Sequence, residues 1–248
     1  MRYGFGVDLG GTTVKLAFFQ EDGSLVSKWE IPTNTTDNGA QILPDIAAAI
    51  QGYMAENNIP ADDIIGVGIG VPGPVNSKGV VNKCVNLGWG VFNIEAELSS
   101  LTGLPVKAGN DANVAALGEC WQGGGKGYEN LLFVTLGTGV GGGFVLNGKL
   151  YAGGGMVGEV GHMVIEKGGV SCNCGRCGCW ETYSSATGLI RMTKEAMEAH
   201  PESLLHKLAA ENGDAEAARN LQQMQAIRKA QEHNSRLSKQ SESTNKQL

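Results

Sequence analysis

Apolar and polar positions alternate through the first thirty residues and then change period. Tyr3 to Asp8 and Val14 to Phe19 read as strands around a break at Gly10-Gly11, and Leu25 to Ile31 as a third strand. Asp22-Gly23, between the second and third runs, is a hairpin turn. Ala40 to Glu56 repeats with helical spacing instead, placing Ile42, Ile46, Ala49, Ile50 and Tyr53 on one stripe. Ile64 to Gly70 is a short β-branched run that ends at Val71-Pro72-Gly73-Pro74. Glu95 to Leu101 predicts a second helix and Val106 to Ala108 a further strand. Strands alternating with helices indicate a mixed α/β domain.

After Asn110-Asp111 the pattern begins again. Ala112 to Trp121 is helical in spacing, Leu131 to Leu136 and Gly143 to Leu146 are strands, and Asn147-Gly148 closes another hairpin. Val7-Asp8-Leu9-Gly10-Gly11-Thr12-Thr13 and Thr135-Leu136-Gly137-Thr138-Gly139-Val140-Gly141 then look like copies of one strand-turn-strand unit. The expected organisation is an N-terminal α/β lobe over residues 1–109 and a second α/β lobe over 110–213, the two facing each other across a cleft. From Ala186 the chain is helical and increasingly polar. Residues 214–248 carry few large apolar side chains and read as polar helix and disordered tail.

Composition narrows the classes. The 248 residues include 38 glycines, concentrated in motifs, so they mark tight turns rather than low complexity. The net charge of −6 argues against a nucleic-acid surface. No apolar run approaches membrane-spanning length. Met1-Arg2-Tyr3-Gly4 runs straight into a strand without a charged and then apolar leader, so a cytoplasmic protein is expected.

Four of the six cysteines fall within Cys172-Asn173-Cys174-Gly175-Arg176-Cys177-Gly178-Cys179, with His162 ten residues upstream. Thiolates and a neutral imidazole are the ligands that a tetrahedral zinc prefers. Disulfides suit an oxidising compartment instead. A redox Cys-x-x-Cys needs a helix start in a βαβ unit, whereas Cys174 and Cys177 sit among glycines. The expected ligands are His162, Cys172, Cys174 and Cys179, with Cys177 able to replace one of them. Glu159 and Glu181 flank the cluster, so a metal that fixes this segment would fix both carboxylates. Cys84 and Cys120 stand alone in apolar surroundings and read as core residues.

Three further motifs carry chemistry. Asp8-Leu9-Gly10-Gly11-Thr12-Thr13 sits at a hairpin turn, where glycines bring backbone N–H groups close to an anion and threonine hydroxyls add donors. It lacks the Gly-Lys-Ser/Thr of a Walker loop, but its counterpart at Gly137-Thr138-Gly139 favours phosphate binding over a plain turn. Asp8 could orient a magnesium ion through water. Gly109-Asn110-Asp111-Ala112-Asn113 opens a helix. An aspartate there is most often a cap, yet a carboxylate can also take the proton of a hydroxyl that attacks phosphorus. Gly158-Glu159-Val160-Gly161-His162 places Glu159 and His162 three residues apart, near enough in sequence to face one ligand.

Together these motifs, with Cys-x-Cys-Gly-x-x-Gly-Cys-x-Glu at Cys172 to Glu181, resemble the ROK family of repressors and sugar kinases. The resemblance runs from Tyr3 to about Leu208. Asn86-Leu87-Gly88-Trp89 and Glu181-Thr182-Tyr183-Ser184-Ser185 are most similar to the family's bacterial glucokinases. It implies an α/β, actin-like (ribonuclease H-like) two-lobe sugar kinase fold that closes on its sugar, and ATP-dependent phosphorylation of glucose to glucose 6-phosphate. Asp111 would be the base at the 6-hydroxyl. Asn110, Glu159, His162 and Glu181 would hold the other hydroxyls, with Gly73 lining the pocket. Gly10, Gly11, Thr12, Thr13, Gly137, Thr138 and Gly139 would cradle the phosphates of ATP, with Mg2+ bound, and the zinc would be structural. A homodimer is the usual assembly.

Kinases for fructose, mannose or N-acetylmannosamine share this framework. The family's repressors carry a helix-turn-helix before the core, for which the motif at Asp8 leaves no room. Family members also continue with further strands and a glycine-rich adenosine motif, for which nothing after Leu208 is an equivalent, so the second lobe is expected to be incomplete. A truncated or frame-shifted product explains this better than a short paralogue, because the sugar-side residues are intact. A sugar-binding fragment without turnover is the third reading.

Overall fold

The structure is a computed structural model that describes residues 1–82, 84, 87–153 and 157–212. Asn86 and the expected tail over 214–248 lie outside the described residues. The chain runs through β1 (Tyr3–Leu9), β2 (Thr13–Gln20) and β3 (Leu25–Pro32), a single turn α1 (Thr36–Gly39) and α2 (Ile42–Glu56). It continues with β4 (Ile64–Val71), β5 (Val80–Val81), β6 (Phe92–Asn93), α3 (Ile94–Thr102), β7 (Val106–Asn110) and α4 (Asp111–Gln122). Three strands follow, β8 (Leu131–Leu136), β9 (Val140–Leu146) and β10 (Lys149–Leu150), and then α5 (Glu181–Ser184), α6 (Ala186–Ala199) and α7 (Leu205–Asn212). This is an α/β fold with mixed sheets. Among the described residues, no helix is long and apolar enough to cross a membrane.

The contacts divide the chain into two units. One holds Met1–Thr135 and Gly141–Glu159; the other holds Leu136–Val140 and the chain from Val160 onward. The boundary expected at residue 109/110 is not where this division falls. The reason lies in α4, which packs on β4 and β7 of the N-terminal sheet.

In the first unit the sheet order is β3-β2-β1-β4-β7. β1 pairs antiparallel with β2 and parallel with β4, and β4 pairs parallel with β7. Helices α2 and α3 cover one face, where Ile42, Leu43, Ile46, Ile50, Ile94 and Leu98 are buried. They meet Phe5, Val7, Leu9, Val14, Leu16 and Phe18 of the hairpin and Val67, Ile69 and Val71 of β4 in one core. Trp29 stacks on Tyr53 with ring centroids 4.7 Å apart, tying β3 to α2. The alternation along β1 and β2 thus becomes an apolar face and a second face that carries Gly4, Gly6, Asp8 and Lys15.

That second face receives α4. A helix can approach a sheet no closer than the side chains between them permit, and glycines remove that limit here. A Cβ on Gly109 would stand 2.9 Å from Val114 Cγ2, and one on Gly70 would stand 3.5 Å from Asp111 Cα. From its other side, β9 presses on the helix through Gly143, where a Cβ would meet Ala116 Cβ at 2.6 Å and the Ala112 carbonyl at 2.9 Å. The three later strands form a sheet in the order β10-β9-β8. Asn147 and Gly148, with φ of 52° and 70°, make the left-handed two-residue turn that their identity predicts.

The second unit contains the cysteine-rich loop, α5, α6 and α7. Ser185 caps α6 by accepting from the Gly188 N–H at 3.0 Å. Cys84 is buried as expected, but Cys120 is not a core residue. It lies half-exposed on α4 with Sγ 3.6 Å from the Tyr128 carbonyl.

Gly143→Ala is expected to destabilise the protein by about 1–3 kcal/mol, because the new methyl meets backbone and a packed alanine. Gly118→Ala, on α4 with open space around it, is expected to stabilise by about 0.5–1 kcal/mol. Denaturant midpoints of the two variants check the pair.

Candidate functional site

The register of the first sheet brings the N-terminal candidates to one end of three strands. Asp8 on β1 lies opposite Gly70 on β4, and Val71 lies opposite Asn110 on β7. These are the carboxyl ends of parallel strands, where open α/β sheets bind their ligands. Asn110 is the cap of α4: its side-chain oxygen accepts from the Asn113 N–H at 3.2 Å, and its amide donates to the Gly73 carbonyl at 3.3 Å. The capping role open to Asp111 is therefore filled by its neighbour. Asp111 is the first helical residue, and its Oδ1 accepts the Ala112 N–H at 2.8 Å.

Asp111 and Asp8 both line a cavity of about 370 Å3 together with Gly70, Ala115 and Thr135. Burial of the Asp111 carboxyl raises its pKa above the ordinary 3.8, and the charge of Asp8 adds to the rise, against the pull of the Ala112 N–H. A carboxyl held above its ordinary value at the mouth of a cavity suits a proton acceptor.

The turn at Gly10 to Thr13 has a particular hydrogen-bond pattern. Thr33 Oγ1 donates to the Gly10 carbonyl at 2.7 Å, the Thr33 N–H to the Thr12 carbonyl at 2.9 Å, and the Gly10 N–H to the Thr13 carbonyl at 3.1 Å. Three carbonyls of the turn are thus tied back. A loop can hold an anion only if its carbonyl oxygens are turned away or neutralised, since each would repel it. Gly11 and Thr12 remain exposed.

The second unit repeats that pattern with other partners. At Gly137-Thr138-Gly139, the Ala186 N–H donates to the Gly137 carbonyl at 2.8 Å and Thr187 Oγ1 to the Thr138 carbonyl at 2.7 Å. The Gly137 N–H donates to the Gly139 carbonyl at 3.0 Å. Both turns singled out in the sequence are therefore carbonyl-neutralised.

Also in the second unit, the ligand atoms of His162, Cys172, Cys174 and Cys179 lie within 4.8 Å of one another. Cys174 Sγ is 3.6 Å from Cys179 Sγ, and Cys172 Sγ is 3.6 Å from His162 Nδ1. A tetrahedron with bonds of about 2.0–2.3 Å has edges of about 3.3–3.8 Å, so the cluster fits zinc. The loop is shaped by Gly175 and Gly178, with φ of 86° and 79°. A Cβ on Gly178 would overlap the Glu166 carbonyl, so no other residue fits there. Cys177 stands outside the cluster, exposed, beside Ser171 Oγ at 3.8 Å.

Burial pushes the Cys172 thiol up to about 12, whereas hydrogen bonds from Arg176 bring Cys174 down to about 6. Burial also raises Cys179. Glu181 lies at the cluster: its Oε1 accepts from Cys172 Sγ at 3.1 Å and is 3.4 Å from His162 Nδ1. Glu159 is half-buried at the end of the first unit. Sequence reasoning missed Thr33 and Thr187. Neither stands in a motif, and only the folded chain brings their hydroxyls to the two turns.

The sequence model of the ROK family matches residues 4–234, so the match passes Leu208. A glucokinase of Halalkalibacterium halodurans is 49% identical over 207 residues, covering 82% of this chain and 63% of that protein. The ROK family glucokinase from Streptomyces griseus, solved in complex with glucose and AMPPNP, aligns with a TM-score of 0.71 at 35% identity. That alignment covers 88% of this chain and 69% of the other. A putative xylose repressor of a Caldicellulosiruptor species is 33% identical over 199 residues, covering 79% of this chain and 50% of that protein. The chain thus spans less than two thirds of the length of the first of these glucokinases.

The geometry separates the two exposed thiols. Cys177→Ser is expected to retain bound zinc after dialysis, and Cys174→Ser to lose it, as read by metal analysis of the purified proteins.

Proposed function

The chain belongs to the ROK family, and from that membership we propose that it is a hexose kinase that phosphorylates glucose at the 6-hydroxyl with ATP. The observation that carries this reading is the division of labour at the start of α4. Asn110 caps the helix, which leaves the Asp111 carboxylate at the cavity with a raised pKa. Asp111 takes the proton of the sugar hydroxyl as its oxygen bonds to the γ-phosphorus. The bond from that phosphorus to the bridging oxygen of ADP breaks, and ADP leaves. The product is glucose 6-phosphate.

Asn110, Glu159, His162 and Glu181 hold the remaining hydroxyls, and Gly73 lines the sugar site through its link to Asn110. Gly10, Gly11, Thr12 and Thr13, with Gly137, Thr138 and Gly139, cradle the phosphates, Gly10 and Gly137 by closing the turns through their own N–H groups and the residues after them through backbone N–H groups and threonine hydroxyls. Asp8 is a single carboxylate beside Asp111, which suits Mg2+ that keeps its waters and binds mainly through ATP phosphates. Zinc, held by His162, Cys172, Cys174 and Cys179, contributes structural rigidity, because protein fills all four positions. The actin-like two-lobe fold of sugar kinases is the architecture this reading requires. Six cysteines outside any disulfide, three of them offered to zinc, suit a reducing cytoplasm.

The similarity to a xylose repressor favours one second reading, sugar binding without turnover. Calorimetry separates the two, since a kinase must also bind nucleotide.

Asp111→Asn is expected to lower glucose-dependent ADP release by about 100-fold or more while glucose affinity changes far less. Release equal to that of the parent would sink the assignment. Because the base acts unprotonated, kcat/KM falls as pH drops through its pKa, which is raised above 3.8. The acid limb is therefore expected above that value. Asp8→Asn removes a charge that raises it and should move the limb to lower pH, as read from the pH profile of whatever rate remains.

A further inference from the structure

Lys15 stands beyond the glycine motif in sequence, but the register of the sheet returns it to that motif. Across β1 and β2 it lies directly opposite Asp8, and across β2 and β3 directly opposite Glu30. Such opposite side chains on one face are about 5 Å apart at Cβ. Val14, Leu16 and Phe18 are buried in the core, so Thr13 and Lys15 lie on the other face of β2, with Asp8 beside them on β1. Each strand residue adds about 3.4 Å, which sets Lys15 about 7 Å along β2 from Thr13, at the end of the first glycine turn. That turn is therefore flanked by a carboxylate two residues before Gly10 and an ammonium two residues after Thr13.

The ammonium is not absorbed by the fold. Lys15 is exposed, and among the described residues it closes no ion pair with Asp8 or Glu30. It lines a cavity of about 870 Å3 together with Asp8. Asp8 also lines the cavity of Asp111, so the two hollows share one carboxylate. Lys28 is the other lysine of the larger cavity, but it lies opposite Ala17, one pleat farther from the turn.

A plain cross-strand charge row contributes about 0.2–1 kcal/mol per pair and needs no ligand. The turn itself asks for more. Its tied-back carbonyls no longer repel an anion, yet its N–H groups carry only partial charges. The terminal phosphates of a nucleotide carry full charges, and the bridging oxygen gains more as its bond to the transferred phosphorus breaks. A fixed cation there is worth more in the transition state than in the ground state.

We propose that Lys15 is a phosphate-binding residue, whose ammonium donates to the phosphates beyond the α-phosphate of a nucleotide at the first glycine turn and stabilises the leaving diphosphate. Asp8 and Glu30, one on each side, keep the side chain on this face. The binding half requires only a nucleotide; the transfer half rests on the hexose-kinase reading above.

The test is calorimetry of the full chain with Mg2+ at fixed pH and salt, with ATP, ADP and AMP as probes and glucose titrated separately. Lys15→Met removes the charge at similar length, Lys15→Arg keeps it, and Lys28→Met removes a charge from the same face. A parent-like thermal midpoint verifies that each variant is folded. Lys15→Met is expected to weaken ATP and ADP by about tenfold or more, the size of one hydrogen bond to a charged group, and to leave AMP and glucose unchanged. Lys15→Arg is expected to recover most of that loss, and Lys28→Met to match the parent. In glucose-dependent ADP release, Lys15→Met is expected to lower kcat by about 100-fold with the KM for glucose unchanged. Parent-like ATP and ADP affinities in Lys15→Met overturn the proposal, as does an equal loss in Lys28→Met or a parent that binds no nucleotide. Weaker ATP and ADP in Lys15→Met, from a parent that binds both but releases no ADP with glucose, supports the phosphate contact and counts against the hexose reading alone.

Discussion

The close approach of α4 to the sheet is the constraint on which the first unit depends. It exists because Gly70, Gly109 and Gly143 bring no side chain of their own to the contact, where a Cβ would meet Val114, Ala116 or the helix backbone. That approach sets Asp111 at the carboxyl ends of β4 and β7, beside Asp8 on β1. It also has a chemical consequence. A helix needs an acceptor for its first N–H groups, and Asn110 supplies one. The Asp111 carboxyl that follows is left at the cavity.

The two glycine turns obey a different requirement. A turn becomes an anion site only when its oxygens are occupied elsewhere. The first turn meets this through Thr33 at the end of β3, the second through Ala186 and Thr187 at the start of α6. The donors come from unrelated elements, yet the result at the turn is the same. Similarity between the two motifs thus extends from sequence to the state of their carbonyls.

In the second unit the organising feature is the cysteine-rich loop. Its glycines make the reversals, and its thiols converge with His162 at distances that suit a tetrahedral ion. Glu181 stands beside that cluster and also beside Gly139, so one side chain joins the cysteine-rich loop to the second glycine turn.

Local chemistry alone determined a good deal. Period-two alternation and Asn147-Gly148 predict strands and a left-handed turn, because a hairpin of that length admits few residues. The stripe at Ile42, Ile46 and Ile50 predicts α2, and ligand softness and spacing predict His162, Cys172, Cys174 and Cys179. The tertiary structure decided what depends on distant partners. It put α4 with the N-terminal sheet, left Cys120 half-exposed, gave the cap to Asn110 rather than Asp111, and brought Thr33 and Thr187 to the turns. It also set Glu181 against Cys172 and His162. Each of these follows from where one element lies on another, and sequence spacing carries no information on that across more than a turn or two of chain.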